Sequence, residues 1–224
     1  YLRTLRFFRF SAWYGDPVEG MDAEALSAIA ETLDGLSTLS RERVGGEVLK
    51  LLAAPDPVMA VSVMAQTGVL AQILPGASPR ALGPLMMAAQ ALELHADPIR
   101  RLAATGFREG AALRLSKTDS RALEVLSDLT EATTALPEIA YRNGQDTALS
   151  TAALRSAILE MPVDSSIRAQ ITAAAAARFP LRPADLMPDL QGPALGDALK
   201  TLEARWIASG FALGRDALLD SLKG

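Results

Sequence analysis

The chain has 224 residues and a mass of 23.7 kDa, half of it hydrophobic and 21% charged, with a net charge of −4. That length and composition describe one large or two small globular domains and exclude a disordered chain. No Cys is present, which excludes disulfides and thiolate chemistry, and the single His95 excludes any site built on two imidazoles. No uninterrupted apolar run reaches the roughly 18 residues of a membrane-crossing helix. An acidic chain is not a nucleic-acid binder by overall charge, so any such role must be local.

Leu and Ala dominate, β-branched runs are almost absent, and Pro and Gly fall between periodic stretches, so the chain reads as all-α. The first helix is expected over residues 1–14, ended by Gly15, Asp16 and Pro17, and a second over 22–33. A third opens with Ser40 as its N-cap and runs to 53, where Pro55-Asp56-Pro57 stops it. Helices follow at 58–66, 79–95, 98–104, 108–115, 118–136, 150–159, 165–178, 193–209 and 215–222, with Gly68, Pro75-Gly76 and Asn143-Gly144 as breaks. Pro98 and Pro193 sit at first helical positions, where the missing N–H costs nothing. No repeat of solenoid length is visible.

The first helix carries the chemistry. Arg3, Arg6 and Arg9 recur every third residue, and no acid occurs among residues 1–15. Tyr1, Leu5, Phe8 and Ala12 form one apolar stripe and Phe7, Phe10 and Tyr14 a second, the pattern of a buried helix. Guanidinium groups leaving such a helix need an acceptor. Residues 16–34 offer one source, with Asp16, Glu19, Asp22, Glu24, Glu31 and Asp34 and no Lys or Arg. A phosphate or a nucleobase is the other, since planar guanidinium forks suit both.

These residues resemble a known pattern. Residues 1–15 are similar to the neck-helix signature of class II CCA-adding enzymes (tRNA nucleotidyltransferases) and related bacterial poly(A) polymerases, Glu-Asp-x-x-Arg-x-x-Arg-x-x-Arg-Phe. Arg3, Arg6 and Arg9 match its arginines and Phe10 its aromatic, with the Glu-Asp pair expected just before Tyr1. Leu39-Ser40-Arg41-Glu42-Arg43-Val44 and Glu47-Val48-Leu49-Lys50-Leu51-Leu52 resemble the family motif that braces this helix. Weaker matches lie at 55–75 and 184–206.

The resemblance implies an elongated array of helices with a neck over 1–66, a body over 67–145 and an RNA-binding tail over 146–224. It implies that Arg3 reads the base, that Arg6 and Arg9 contact the nucleotide or hold its pocket, and that Ser40, Glu42 and Arg43 support them. The family adds CCA to tRNA from CTP and ATP: the RNA 3′-hydroxyl attacks the α-phosphorus and pyrophosphate leaves, with Mg²⁺ held by an Asp-x-Asp motif. Neither Asp-x-Asp nor the family's Gly-Gly-x-x-Arg-Asp turn occurs here, Gly45-Gly46 being followed by Glu47-Val48. The catalytic head and its Mg²⁺ are therefore expected upstream in the same polypeptide, with no catalytic residue, metal or cofactor in this chain, which alone should be inactive. The expected partners are tRNA, CTP and ATP in the cytoplasm. A poly(A) polymerase would use the same helix, and a free-standing helical RNA-binding or scaffold module is the alternative outside this family.

Six basic residues, Arg100, Arg101, Arg108, Arg114, Lys117 and Arg121, outnumber the three acids around them and read as a solvated face or as phosphate contacts. His95 reads as a capping or surface residue; Trp13, Trp206, Phe211, Met59, Met64, Met86 and Met87 read as core.

Overall fold

The computed structural model describes residues 1–15, 20–164, 166–187 and 189–222. Asp16, Pro17 and Glu19, expected in the first break and the acidic stretch, lie outside the described residues, as does Ser165, the expected start of a helix. The described residues are helical with no strand, so the chain is all-α. No described helix is long and apolar enough to cross a membrane.

The helices are α1 (Leu2–Tyr14), α2 (Ala23–Glu31), α3 (Arg41–Leu52), α4 (Val58–Gln66), α5 (Val69–Ile73), α6 (Leu82–Ala91), α7 (Pro98–Ala104), α8 (Lys117–Glu131), α9 (Leu136–Asn143), α10 (Gln145–Leu159), α11 (Ile167–Ala176), α12 (Gly192–Ala208) and α13 (Arg215–Asp220), with 3-10 turns at Leu33–Thr38, Gly110–Leu113 and Pro183–Asp185. Two compact units divide the chain, one of Tyr1–Thr133 with Leu149–Ser165 and one of Thr134–Ala148 with Ser166–Gly224.

In the first unit, α1 packs on α3 and α4, α3 on α7, and α7 on α8. Its core holds Leu5, Phe8, Val44, Leu51, Val61, Leu70, Leu102 and Leu123 among others. Local rules set the helix ends. The Ser40 side chain accepts from the Arg43 N–H and caps α3, as expected. Asp97 accepts from the N–H groups of Ile99 and Arg100 and caps α7, whose first residue is Pro98. Gly68 sits in the left-handed region, φ 82°, and turns the chain from α4 into α5, a short helix that the sequence reading missed.

Several expectations are corrected. Residues 108–115 form only the Gly110–Leu113 turn, because Arg114 takes the left-handed conformation and closes it. Helix α8 ends at Glu131, where Ala132 is extended; Pro137 then opens α9, and α10 already begins at Gln145, directly after Gly144. Arg100 and Arg101 are buried, not solvated and not free for phosphate. Arg101 donates to the carbonyls of Leu52 and Ala54 at 2.6 and 2.5 Å, closing the C-terminal end of α3, and Arg100 donates to Ser150 Oγ at 3.1 Å and to the His95 carbonyl. Burial holds both guanidinium groups below the ordinary arginine value. Met64 is buried, but Met59 and Met87 are exposed.

The second unit gathers around Trp206, buried as expected. Phe211, Tyr141 and Phe179 ring it at centroid distances of 4.9, 5.4 and 5.5 Å, above Leu181, Leu186, Leu202 and Leu218. Tyr141 donates to Glu203 at 2.7 Å. Asp185 accepts from the Arg182 N–H and from Arg215, which hold its carboxyl below the ordinary aspartate value.

Gly45 fixes α3 within the first unit. A Cβ at this position would lie 2.2 Å from the Leu113 carbonyl oxygen, so the helix and the 110–113 turn meet backbone to backbone. Gly45→Ala must push them apart and is expected to destabilise the protein by roughly 1–3 kcal/mol, measured by urea denaturation. An unchanged midpoint would show that the contact carries no constraint.

Candidate nucleotide and RNA interface on helices 1 and 3

Helix α1 buries one stripe, not two. Leu5 and Phe8 are 2% and 0% exposed, whereas Phe10 is 51% and Tyr14 77% exposed. Trp13 is likewise partly exposed, and its Nε1 donates to the Lys50 carbonyl at 2.8 Å. The buried stripe faces α3, where Leu5 shares a tightly packed region with Val48, Leu51 and Leu52. An apolar wheel face reports hydrophobicity, not the presence of a neighbour: the second stripe is half-buried at Phe7 and exposed at Phe10 and Tyr14.

The acceptor for the arginines is Glu47, a carboxylate on the inner face of α3 that is only 7% exposed. Arg9 Nε stands 2.8 Å from its Oε2, an ion pair without the alignment of a hydrogen bond, and Arg6 Nε stands 3.7 Å from Oε1. The Arg9 guanidinium also lies over the Phe10 ring, 4.6 Å from its centroid. Among the described residues, no acid of the 20–34 segment pairs with Arg3, Arg6 or Arg9. Asp22 is instead occupied with the Glu24 N–H at the start of α2. The signal for Glu47 was present in the sequence, as an acid set between Val44, Val48 and Leu51 on an otherwise apolar helix face.

Arg6, Ser40, Glu42 and Arg43 line one open groove with Glu47 and Lys50. Three of the four supporting and binding residues named for this helix pair other than Arg3 and Arg9 thus come from α3 or its cap. Arg3 stands one turn before Arg6, exposed and outside that lining, and no carboxylate among the described residues pairs with it. Arg9 is half-buried between Glu47 and Phe10. The groove presents Arg6, Arg43 and Lys50 as cations on a wall whose buried member is already neutralised, an arrangement suited to phosphate oxygens or to the acceptor edge of a base. Among the described residues no group of three or more His, Asp or Glu is placed to hold a metal ion.

Residues 20–80 match the family model described as "Probable RNA and SrmB-binding site of polymerase A". That segment contains α3 and so one wall of the groove. The crystal structure of the Bacillus stearothermophilus CCA-adding enzyme in complex with CTP shares the fold, with a TM-score of 0.63 at 19% sequence identity over 99% of this chain. This chain spans 62% of the length of that one. No curated protein sequence matches the chain. The resemblance therefore holds by sequence over residues 20–80, which include the bracing motif, and by fold over nearly the whole chain.

Replacing Glu47 by Gln keeps its shape and removes its charge, leaving Arg9 half-buried beside a neutral amide. The expected outcome is a loss of about 1–3 kcal/mol in chemical denaturation. Stability equal to the wild type would show that Glu47 only fills space.

Proposed function

We propose that this chain is the RNA- and nucleotide-recognising portion of a tRNA nucleotidyltransferase that adds CCA to the tRNA 3′ end from CTP and ATP. The observation that carries the reading is the α1–α3 pair: an arginine helix seated on a family-matched RNA-binding segment, with Glu47 neutralising Arg9 and drawing in Arg6 while Arg3 stays free of a carboxylate.

The recognition follows from donor and acceptor order. Cytosine and adenine each set an exocyclic amino donor beside a ring-nitrogen acceptor, and uracil and guanine invert that order. An arginine donating to the ring nitrogen, with an aspartate accepting from the amino group, passes C and A and leaves U and G with clashing groups. Arg3 is assigned to the base, with the aspartate of the Glu-Asp pair as its partner; Arg6 and Arg9 hold the nucleotide side of the pocket, and Ser40, Glu42 and Arg43 support them. In this reading residues 1–66 are the neck, 67–145 the body and 146–224 an RNA-binding tail. Mg²⁺ and the catalytic carboxylates belong to an upstream head, and the enzyme works in the cytoplasm. A poly(A) polymerase is the second reading, favoured by the matched family's own description.

The test is primer extension by the protein that includes the head. Arg3→Ala should abolish the preference for CTP and ATP over UTP and GTP while the unfolding free energy stays within about 0.5 kcal/mol of wild type, as for an exposed substitution. Retained discrimination would overturn the assignment of Arg3. Product length separates the two enzymes: three added nucleotides on tRNA mean CCA addition, and a long A tail means poly(A) addition.

A further inference from the structure

The groove on α1 and α3 does not account for a second basic surface of the first unit. A second groove lies between the Gly110–Leu113 turn and the first half of α8, lined by Arg108, Arg114, Lys117 and Arg121 against Glu109 and Glu124. Two of these cations are spoken for. Arg108 binds Glu131 at 2.5 Å and also Asp128, and Arg121 binds Glu124 at 2.7 Å. Asp119, two residues after Lys117, accepts from the Ser116 hydroxyl at 2.8 Å. Arg114 and Lys117 are exposed, and no carboxylate among the described residues pairs with either.

Arg114 is also held in the left-handed region, φ 52° and ψ 38°, at a turn closure where Gly or Asn costs least. Its position is tied to the first groove through Gly45, which touches the Leu113 carbonyl and sits in the same helical turn of α3 as Arg43 and Gly46, two residues of the first groove's lining. Arg43 and Arg114 therefore flank one backbone-to-backbone junction.

We infer that an RNA strand engaged at the α1–α3 groove continues across this junction, with Arg114 and Lys117 as contacts to its phosphates. The inference rests on the RNA-binding reading above and extends it to residues outside the family-matched segment. Because neither side chain needs to shed a carboxylate partner, each can release counterions from the RNA without breaking an intramolecular pair.

The experiment is fluorescence anisotropy with the 224-residue chain and a labelled tRNA lacking CCA, run from 50 to 200 mM salt. The variants are Arg114→Asn with Lys117→Gln, and Arg6→Gln with Arg43→Gln. Asn accepts the left-handed conformation, so the first pair should keep or raise the thermal midpoint. It should weaken binding roughly tenfold at about 0.1 M salt and make the salt slope shallower by about one for each cation removed. If the Arg114 and Lys117 variant binds as wild type while the Arg6 and Arg43 variant loses affinity, the second contact is wrong and the RNA reading stands. If the wild-type chain binds no RNA, the RNA reading itself fails and takes the inference with it. Equal competition by polyglutamate at matched charge would also overturn it, since the surface would then serve an acidic polypeptide.

Discussion

Much of the candidate site depends on one buried charge. Glu47 sits on the face of α3 that α1 covers, beside Val48 and Leu51, where an unpaired carboxylate would cost several kcal/mol. The cost is met by bringing Arg9 to 2.8 Å and Arg6 to 3.7 Å. The apolar stripe of α1 therefore cannot slide on α3 without breaking an ion pair, and the pair cannot form unless Leu5 and Phe8 are seated. Packing and charge select the same register. The result is a graded set of arginines on one helix: Arg9 enclosed against Phe10, Arg6 at the groove edge, Arg3 in solvent.

Helix α3 is held along its whole length by groups of different kinds. Ser40 closes its first turn, and the Trp13 indole and the Arg101 guanidinium take carbonyls near its last turn. Arg101 comes from a helix 49 residues away in sequence. This use of arginine explains why a run of basic residues on α7 is not a nucleic-acid face: its guanidinium groups are consumed by the carbonyls that helix ends leave without partners.

What could be read from the sequence was what local chemistry decides. The all-α class, the Ser40 cap, helix α4 at Val58–Gln66 and helix α7 at Pro98–Ala104 follow from spacing, caps and proline placement within a few residues. The burial of Trp206 follows from a large aromatic at a helical position. What escaped depends on distant partners. The wheel of α1 gave Phe10 and Tyr14 the same weight as Leu5 and Phe8, because hydrophobicity does not say which face is covered. Arg100 and Arg101 were indistinguishable from Arg114 and Lys117 until α3 and Ser150 were placed beside them. Glu47 belongs to the bracing motif, but an acid inside an apolar stripe reads as an interruption until a cation is seen opposite. The helix expected over 108–115 failed for a related reason: its backbone is shaped by Gly110 lying against Ser120, where a Cβ would come within 3.0 Å of Oγ.

The meeting of Gly45 with the Leu113 carbonyl has a bearing on how such a molecule can change over generations. The spacing between α3 and the turn is set by main-chain atoms on both sides. Side chains such as Arg43 and Lys117 can be exchanged or recharged without entering that contact, because the atoms that meet are the Leu113 carbonyl and the Gly45 backbone. A position that contributes no side chain at all thus sets the distance between two surfaces whose side chains can vary.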